Sequence, residues 1–189
     1  FKSEEVTQIK LQPQKSDKEI VVTKKGDNEW YVTEGEKTFK SDIDIVTNYL
    51  NELQKLKSQR LAAKSKEKWD EFNVTDSAAT RIKLFDGNGK SLLDILIGKL
   101  SYKQAQNPYG RNNVQGISYV RLAKENEVYA VDGFLPMSLN RSFDDWRNKT
   151  LTKLNKDDIQ NISFVYPDSS FTIEYKDSSW MVNNIPLDD

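Results

Sequence analysis

Val6-Thr7-Gln8-Ile9-Lys10-Leu11, Glu19-Ile20-Val21-Val22-Thr23-Lys24 and Asn28-Glu29-Trp30-Tyr31-Val32 open the chain, and their pattern returns near its end. The later copy reads Ile159-Gln160-Asn161-Ile162-Ser163-Phe164, Phe171-Thr172-Ile173-Glu174-Tyr175-Lys176 and Ser178-Ser179-Trp180-Met181-Val182. Each copy is two alternating strands, a polar turn and a third short strand opened by Trp. Self-similarity of this kind decides how the rest of a chain is read. Alternation of apolar and polar residues marks half-buried strands, and Lys25-Gly26-Asp27-Asn28 is a turn in which Gly supplies a positive φ. After the first copy a helix is expected from about Asp42 to Ser58. Ser41 reads as its N-cap and Asp44 as the partner in a capping box. Ile43, Val46, Tyr49, Leu50, Leu53 and Leu56 fall at three- and four-residue spacings on one side. A C-terminal extension carrying the corresponding helix after Trp180 would complete the second copy.

Composition narrows the chemistry. At 189 residues the chain is one ordinary domain or two small ones, long enough for a true core. Charged residues are 30% of the chain, yet the formal net charge is −1, which argues against a dedicated nucleic-acid binder. There is no Cys and no His. Disulfides, thiolate metal sites and a Cys nucleophile are therefore excluded, and the usual zinc sites and general bases lose their commonest residue types. No apolar run approaches the roughly 18 residues of a membrane span. The chain begins at Phe1, so removal of a signal, a lipoprotein leader or an N-terminal anchor is one expectation and a trimmed cytoplasmic chain is the other.

Between the copies, Lys55, Lys57, Arg60, Lys64, Lys66 and Lys68 stand against a single acid, Glu67. A solvated helix end, where cations suit the dipole, is favoured over an anion-binding patch. Ser65 to Phe72 is expected as a short helix burying Trp69 and Phe72, with Asn73 as C-cap. Thr80–Phe85 and Ser91–Ile97 read as strands joined by Asp86-Gly87-Asn88-Gly89. This is a hairpin turn and not a calcium loop, because Lys90 and Ile97 occupy positions that would need oxygen ligands. Residues 98–118 are expected as a long loop, rich in Tyr, Asn, Gln and Arg, which binding surfaces favour. Ser118–Leu122 and Glu127–Val131 are strands, Gly133–Asn140 a helical turn, and Asp144–Lys149 a connector that pins Trp146 into the core.

Four features, taken in order, resemble a bacterial family catalogued as domain of unknown function 4340. They are Val6-x-x-Ile9-x-Leu11 with Trp30-Tyr31-Val32 and the Asp42 helix; Asp86-Gly87 with Leu96-Ile97-Gly98; Tyr119-Val120-Arg121 with Val128-Tyr129-Ala130-Val131; and Trp146-Arg147-Asn148-Lys149-Thr150-Leu151 with Ile159-x-x-Ile162. The resemblance spans nearly the whole chain. It implies an extracytoplasmic protein of the cell envelope, periplasmic in setting and held by an N-terminal membrane segment. It further implies a place near transporter or gliding-motility components. It supplies no catalytic residues.

Catalytic motifs are missing as well. Asn88-Gly89-Lys90-Ser91 lacks the earlier Gly of a phosphate loop, and no Gly-x-Ser-x-Gly or dinucleotide fingerprint occurs. Adjacent acid pairs such as Asp144 and Asp145 do not face each other across a cleft, as glycoside hydrolysis requires. The expected fold is α+β, with mostly antiparallel sheets and one main amphipathic helix. It divides into residues 1–78, a β-β-β-α unit; 79–156, a central hairpin region with the 98–118 loop; and 157–189, the start of a second β-unit. The expected function is a non-catalytic binding or scaffold domain with a protein partner in a membrane complex. No cofactor, metal or nucleic acid is expected. The candidate surface is Tyr102, Tyr109, Arg111, Asn112 and Asn113. A small-ligand or glycan module using the same loop is the alternative, and joint exposure of Tyr102 and Tyr109 in a concave site would favour it.

Overall fold

The computed structural model describes residues 1–105, 113–183 and 185–187, in two compact units, Phe1–Asn148 and Lys149–Asp189. The fold is α+β with antiparallel sheet predominant. In the first unit nine strands form one sheet: β1 (Gln8–Gln12), β2 (Ile20–Lys25), β3 (Glu29–Glu34), β4 (Lys37–Lys40), β5 (Ser58–Ala63), β6 (Thr80–Phe85), β7 (Ser91–Ala105), β8 (Asn113–Leu122) and β9 (Val128–Asp132). Their order is β4-β3-β2-β1-β6-β7-β8-β9-β5, with every neighbouring pair antiparallel. Short turns join most of them, which is why antiparallel pairing prevails. Strands from residues 1–78 and from 79–156 thus pair within this one sheet.

Helix α1 (Ile43–Gln54) leaves the β4 edge and delivers the chain to β5 at the opposite edge. Its buried side, Val46, Tyr49, Leu50 and Leu53, lies on the sheet face carrying Ile9, Leu11, Val22, Trp30, Val32, Ile82, Leu84 and Ile97. Trp146 is fully buried in this cluster, its ring 4.6 Å from that of Tyr49. The helix begins one residue later than expected. Asp42 is the N-cap, and its carboxylate accepts from the amides of Asp44 (2.9 Å) and Ile45. Ser41 is held instead in a bridge with Arg147, its amide donating to the Trp30 carbonyl. The helix also ends earlier. The basic run expected as a solvated helix end becomes edge strand β5 after residue 57, its backbone paired with β9 on one side.

Residues 64–79 cover the sheet's other face. The short helix expected at 65–72 is a single 3-10 turn, Lys66–Lys68, and Asn73 adopts a left-handed φ of 53° that turns the chain back. Phe72 and Val74 pack against Tyr119, Val128 and Ala130. Arg121 is buried here with its guanidinium 3.6 Å above the Trp69 ring. It donates to the carbonyls of Val74 (3.1 Å) and Ala123 (3.2 Å), which ties the covering segment to the β8–β9 turn. Desolvation pulls its pKa down from the usual arginine value.

The expected long loop at 98–118 is largely regular structure. β7 runs to Ala105 and β8 starts at Asn113, with Leu100 opposite Ser118 and Ala105 opposite Asn113. Polar composition hid these strands because their outer halves bury little. The 86–89 turn is a hairpin turn as expected: the Asp86 carboxylate accepts from the amides of Asn88 and Lys90, both at 2.9 Å.

The second unit is a four-stranded antiparallel meander of β10 (Asn161–Val165), β11 (Ser170–Lys176), β12 (Ser179–Val182) and β13 (Ile185–Pro186). Ile162 pairs with Ile173 and Ile173 with Val182; Phe164 pairs with Phe171 and Tyr175 with Trp180. Among its described residues none is buried.

Candidate binding surface

The outer half of the β7–β8 hairpin carries an apolar patch that begins with a missing side chain. Gly116 stands opposite Tyr102 in the β7–β8 register. A Cβ at Gly116 would lie 2.9 Å from the Gly133 carbonyl oxygen and 3.0 Å from two carbons of the Phe134 ring. Gly is therefore required for the chain after β9 to fold back onto the hairpin. Gly133, with φ 114°, makes that reversal, and its amide donates to the Gly116 carbonyl at 2.9 Å. Buried Ser118 fixes the same corner. Its hydroxyl donates to the Gly133 carbonyl at 2.7 Å and accepts from the Leu135 amide at 3.0 Å.

This corner lays the Phe134 ring on the hairpin, 6.1 Å from the Tyr102 ring and tilted 49° to it. Helix α2 (Leu135–Ser138) follows, with Pro136 in its first turn, and presents Met137. Tyr102 is 65% exposed, Met137 72%, Val114 52% and Phe134 40%. Val114 shares a strand face with Gly116, two residues away. On the hairpin's opposite face the Gln115 amide donates to Asp132 at 3.0 Å, and Gln59 donates to the other Asp132 oxygen. Exposed aromatic and Met side chains on a braced backbone have the composition of a protein-contact surface.

Of the residues singled out from sequence, Tyr102 lies in this patch. Asn113 opens β8 opposite Ala105. Tyr109, Arg111 and Asn112 lie outside the described residues. Sequence reasoning missed Phe134, Met137 and Val114. The signal that could have found them is the pair of glycines, Gly116 in a strand pattern and Gly133 just before an aromatic residue.

A second feature is a groove of about 480 Å³ between the end of α1 and strands β7, β8 and β9, lined by Leu53, Leu56, Leu93, Ile95, Leu122 and Tyr129 among others. Its polar corner is Tyr129, whose hydroxyl donates to Glu125 at 3.4 Å. Partial burial, and then the nearby Glu125 and Glu127 charges, push the phenol pKa up. Among the described residues no group of three or more acidic side chains could hold a metal ion, and no helix is long and apolar enough to cross a membrane.

The model of a family described as a domain of unknown function (DUF4340) matches residues 30–188. No curated protein and no solved structure matches the chain.

Proposed function

The chain belongs to the family described as a domain of unknown function (DUF4340), and from that premise we propose a non-catalytic binding or scaffold domain whose partner is another protein. Its setting in this reading is the cell envelope, outside the cytoplasm, next to a membrane transporter or motility complex. That setting rests on the family resemblance and on the anchor it implies. The observation that carries the binding role is the Tyr102–Phe134 patch with Met137 and Val114. These side chains keep between 40% and 72% of their surface exposed, and covering it is favourable at about 25 cal/mol per Å² of apolar area. Because Gly116 and Ser118 already fix the backbone beneath them, a partner would bury them with little further ordering cost.

Pull-down from native membranes tests this. The wild-type chain is expected to retain a partner that the Tyr102→Ser, Phe134→Ser double variant loses. Tyr109→Ala with Arg111→Ala, made in parallel, reads whether the neighbouring segment shares the contact. Identical partners for wild type and for the patch variant would sink the reading. The groove beside Tyr129 favours a second reading, a small-ligand module. Native mass spectrometry of the purified chain would support it by finding a retained glycan or metabolite.

We also read the second unit as the counterpart of β1–β4, in keeping with the repeated sequence. The cross-strand row Ile9–Val22–Val32 corresponds to Ile162–Ile173–Val182, and Leu11–Ile20 corresponds to Phe164–Phe171. Trp30 lies opposite Lys24 as Trp180 lies opposite Tyr175, and each Trp shares a face with the Val two residues on. An experimental structure with the two Trp rings on opposite faces of these rows would reduce the likeness to composition.

A further inference from the structure

The groove beside Tyr129 exists because α1 covers only part of its sheet face. The helix ends at Gln54, and the chain passes on to β5 at the sheet edge. Beyond the helix the same face continues through β7, β8 and β9, where Ile95 stands opposite Leu122 and Val120 opposite Tyr129. Leu53 and Leu56 line the groove from the helix end, and Leu93, Ile95, Leu122 and Val131 line it from the strands. Leu56, Leu93 and Leu122 are only half-buried, so part of this apolar lining stays in water. At about 480 Å³ the groove has the size of sites that enclose a small organic molecule.

Its charged groups have one sign. Glu125, in the β8–β9 turn, lines the groove with Tyr129, and no Lys or Arg is among the described residues that line it. The Tyr129 hydroxyl donates to the Glu125 carboxylate, and Glu127 adds a second negative charge nearby. The raised phenol pKa, owed to burial and then to these two carboxylates, reports the same negative field. Neighbouring cations are engaged elsewhere. Lys55 and Lys57 line a separate hollow that also holds Asp132. Arg121 is buried over Trp69 on the sheet's other face, donating to carbonyls. An anionic head in the groove would therefore be repelled, and a neutral one would leave the carboxylates without a counter-charge. An ammonium head is attracted both to the carboxylates and to a phenol ring.

We propose that this groove binds a small amphiphilic amine, its aliphatic chain on Leu93, Ile95 and Leu122 and its ammonium head against Glu125 and Tyr129. The proposal rests on the second reading above, that of a small-ligand module, and names the class of ligand. The amine is taken from solution one molecule at a time. Apolar contact supplies the affinity and the carboxylates supply the choice of head.

The probe is decyltrimethylammonium, titrated calorimetrically into the whole 189-residue chain below its micelle-forming concentration, with 1-decanol and decanoate in parallel. One saturable site is expected, which prefers the cation to 1-decanol and favours it over decanoate by about tenfold or more. Added salt should weaken the cation's binding. Glu125→Gln with Glu127→Gln should erase the preference and leave 1-decanol binding unchanged. Glu36→Gln, which removes a charge from the exposed β3–β4 turn, should change neither. Leu122→Gln should weaken all three amphiphiles by about fivefold. An unchanged far-ultraviolet spectrum checks its fold, and Leu56→Gln at the helix end of the groove gives the same readout from a second position. No saturable binding of the cation by the folded chain overturns the proposal, as does a preference that survives the loss of both carboxylates. Equal binding of the three amphiphiles overturns it while leaving the small-ligand reading standing, which native mass spectrometry tests by itself. A dimer in sedimentation that Leu122→Gln abolishes would fill the groove with a second copy. Capture by phosphatidylcholine vesicles that the double Glu variant loses would move the ammonium to a bilayer surface. Either result overturns a free amine as the ligand.

Discussion

Tyr49 packs its ring against Trp146 and donates from its hydroxyl to the Leu139 carbonyl at 3.1 Å, wholly out of water. Burial raises its pKa well above the ordinary 10, because an unsolvated phenolate is costly there. A raised folded-state value means that Tyr49 contributes stability fully below pH 10 and loses it as pH climbs toward the raised value. Tyr49→Phe keeps the packing and removes the hydrogen bond. Chemical denaturation at pH 7 should read a loss of about 1–2 kcal/mol, and the fall in stability above pH 10 should be shallower than in wild type. Gly98 is a second residue on which much depends. A Cβ there would lie 2.1 Å from the Phe72 carbonyl oxygen and 2.9 Å from that of Asn73. Since the obstructing atoms are backbone, Gly98→Ala must push residues 72–74 off the sheet and break the hydrogen bond that the Lys99 amide donates to the Phe72 carbonyl. A loss of about 2–3 kcal/mol in a urea titration is expected, and an unchanged midpoint would refute the close approach.

At the scale of elements, what could be read in the sequence follows the periodicity of burial. β1, β2, β3 and β6 bury alternate residues completely, so Ile9-x-Leu11, Ile20-x-Val22, Trp30-x-Val32 and Ile82-x-Leu84 announced them. The spacing of Val46, Tyr49, Leu50 and Leu53 announced α1 in the same way. Where burial stops, the signal stops. The outer ends of β7 and β8, around Tyr102 and Gln115, are held by backbone ladders and bury little, so polar composition read as loop. β5 was lost because Leu61 is largely exposed, while Lys57 and Arg60 extend what looked like a helix end. Among the described candidates, Tyr102 is the one that lies in the patch. Phe134 and Met137 come to it through a chain reversal at Gly133, a tertiary event with no local period.

At the scale of the whole chain, the first compact unit ends at Asn148, and residues 149–155, which open the second, lack regular structure. Leu151 is 98% exposed, and Lys149 and Lys153 flank it. Backbone that is exposed and outside any ladder is where proteases cut first. Limited trypsin digestion followed by mass spectrometry should therefore yield a fragment ending at Lys149 or Lys153 before any cut inside a strand of the nine-stranded sheet. A first cut within those strands would contradict the division. The sheet order also sets a timetable. β5 is synthesised directly after α1, yet its neighbour β9 is made only after three intervening strands. Until then β5 has no ladder, and the Leu53 end of α1 has no β9 alongside it. Non-local pairing of this kind slows folding. The chain thus holds an unfinished margin open during synthesis, and it is there that a holding chaperone would find its grip.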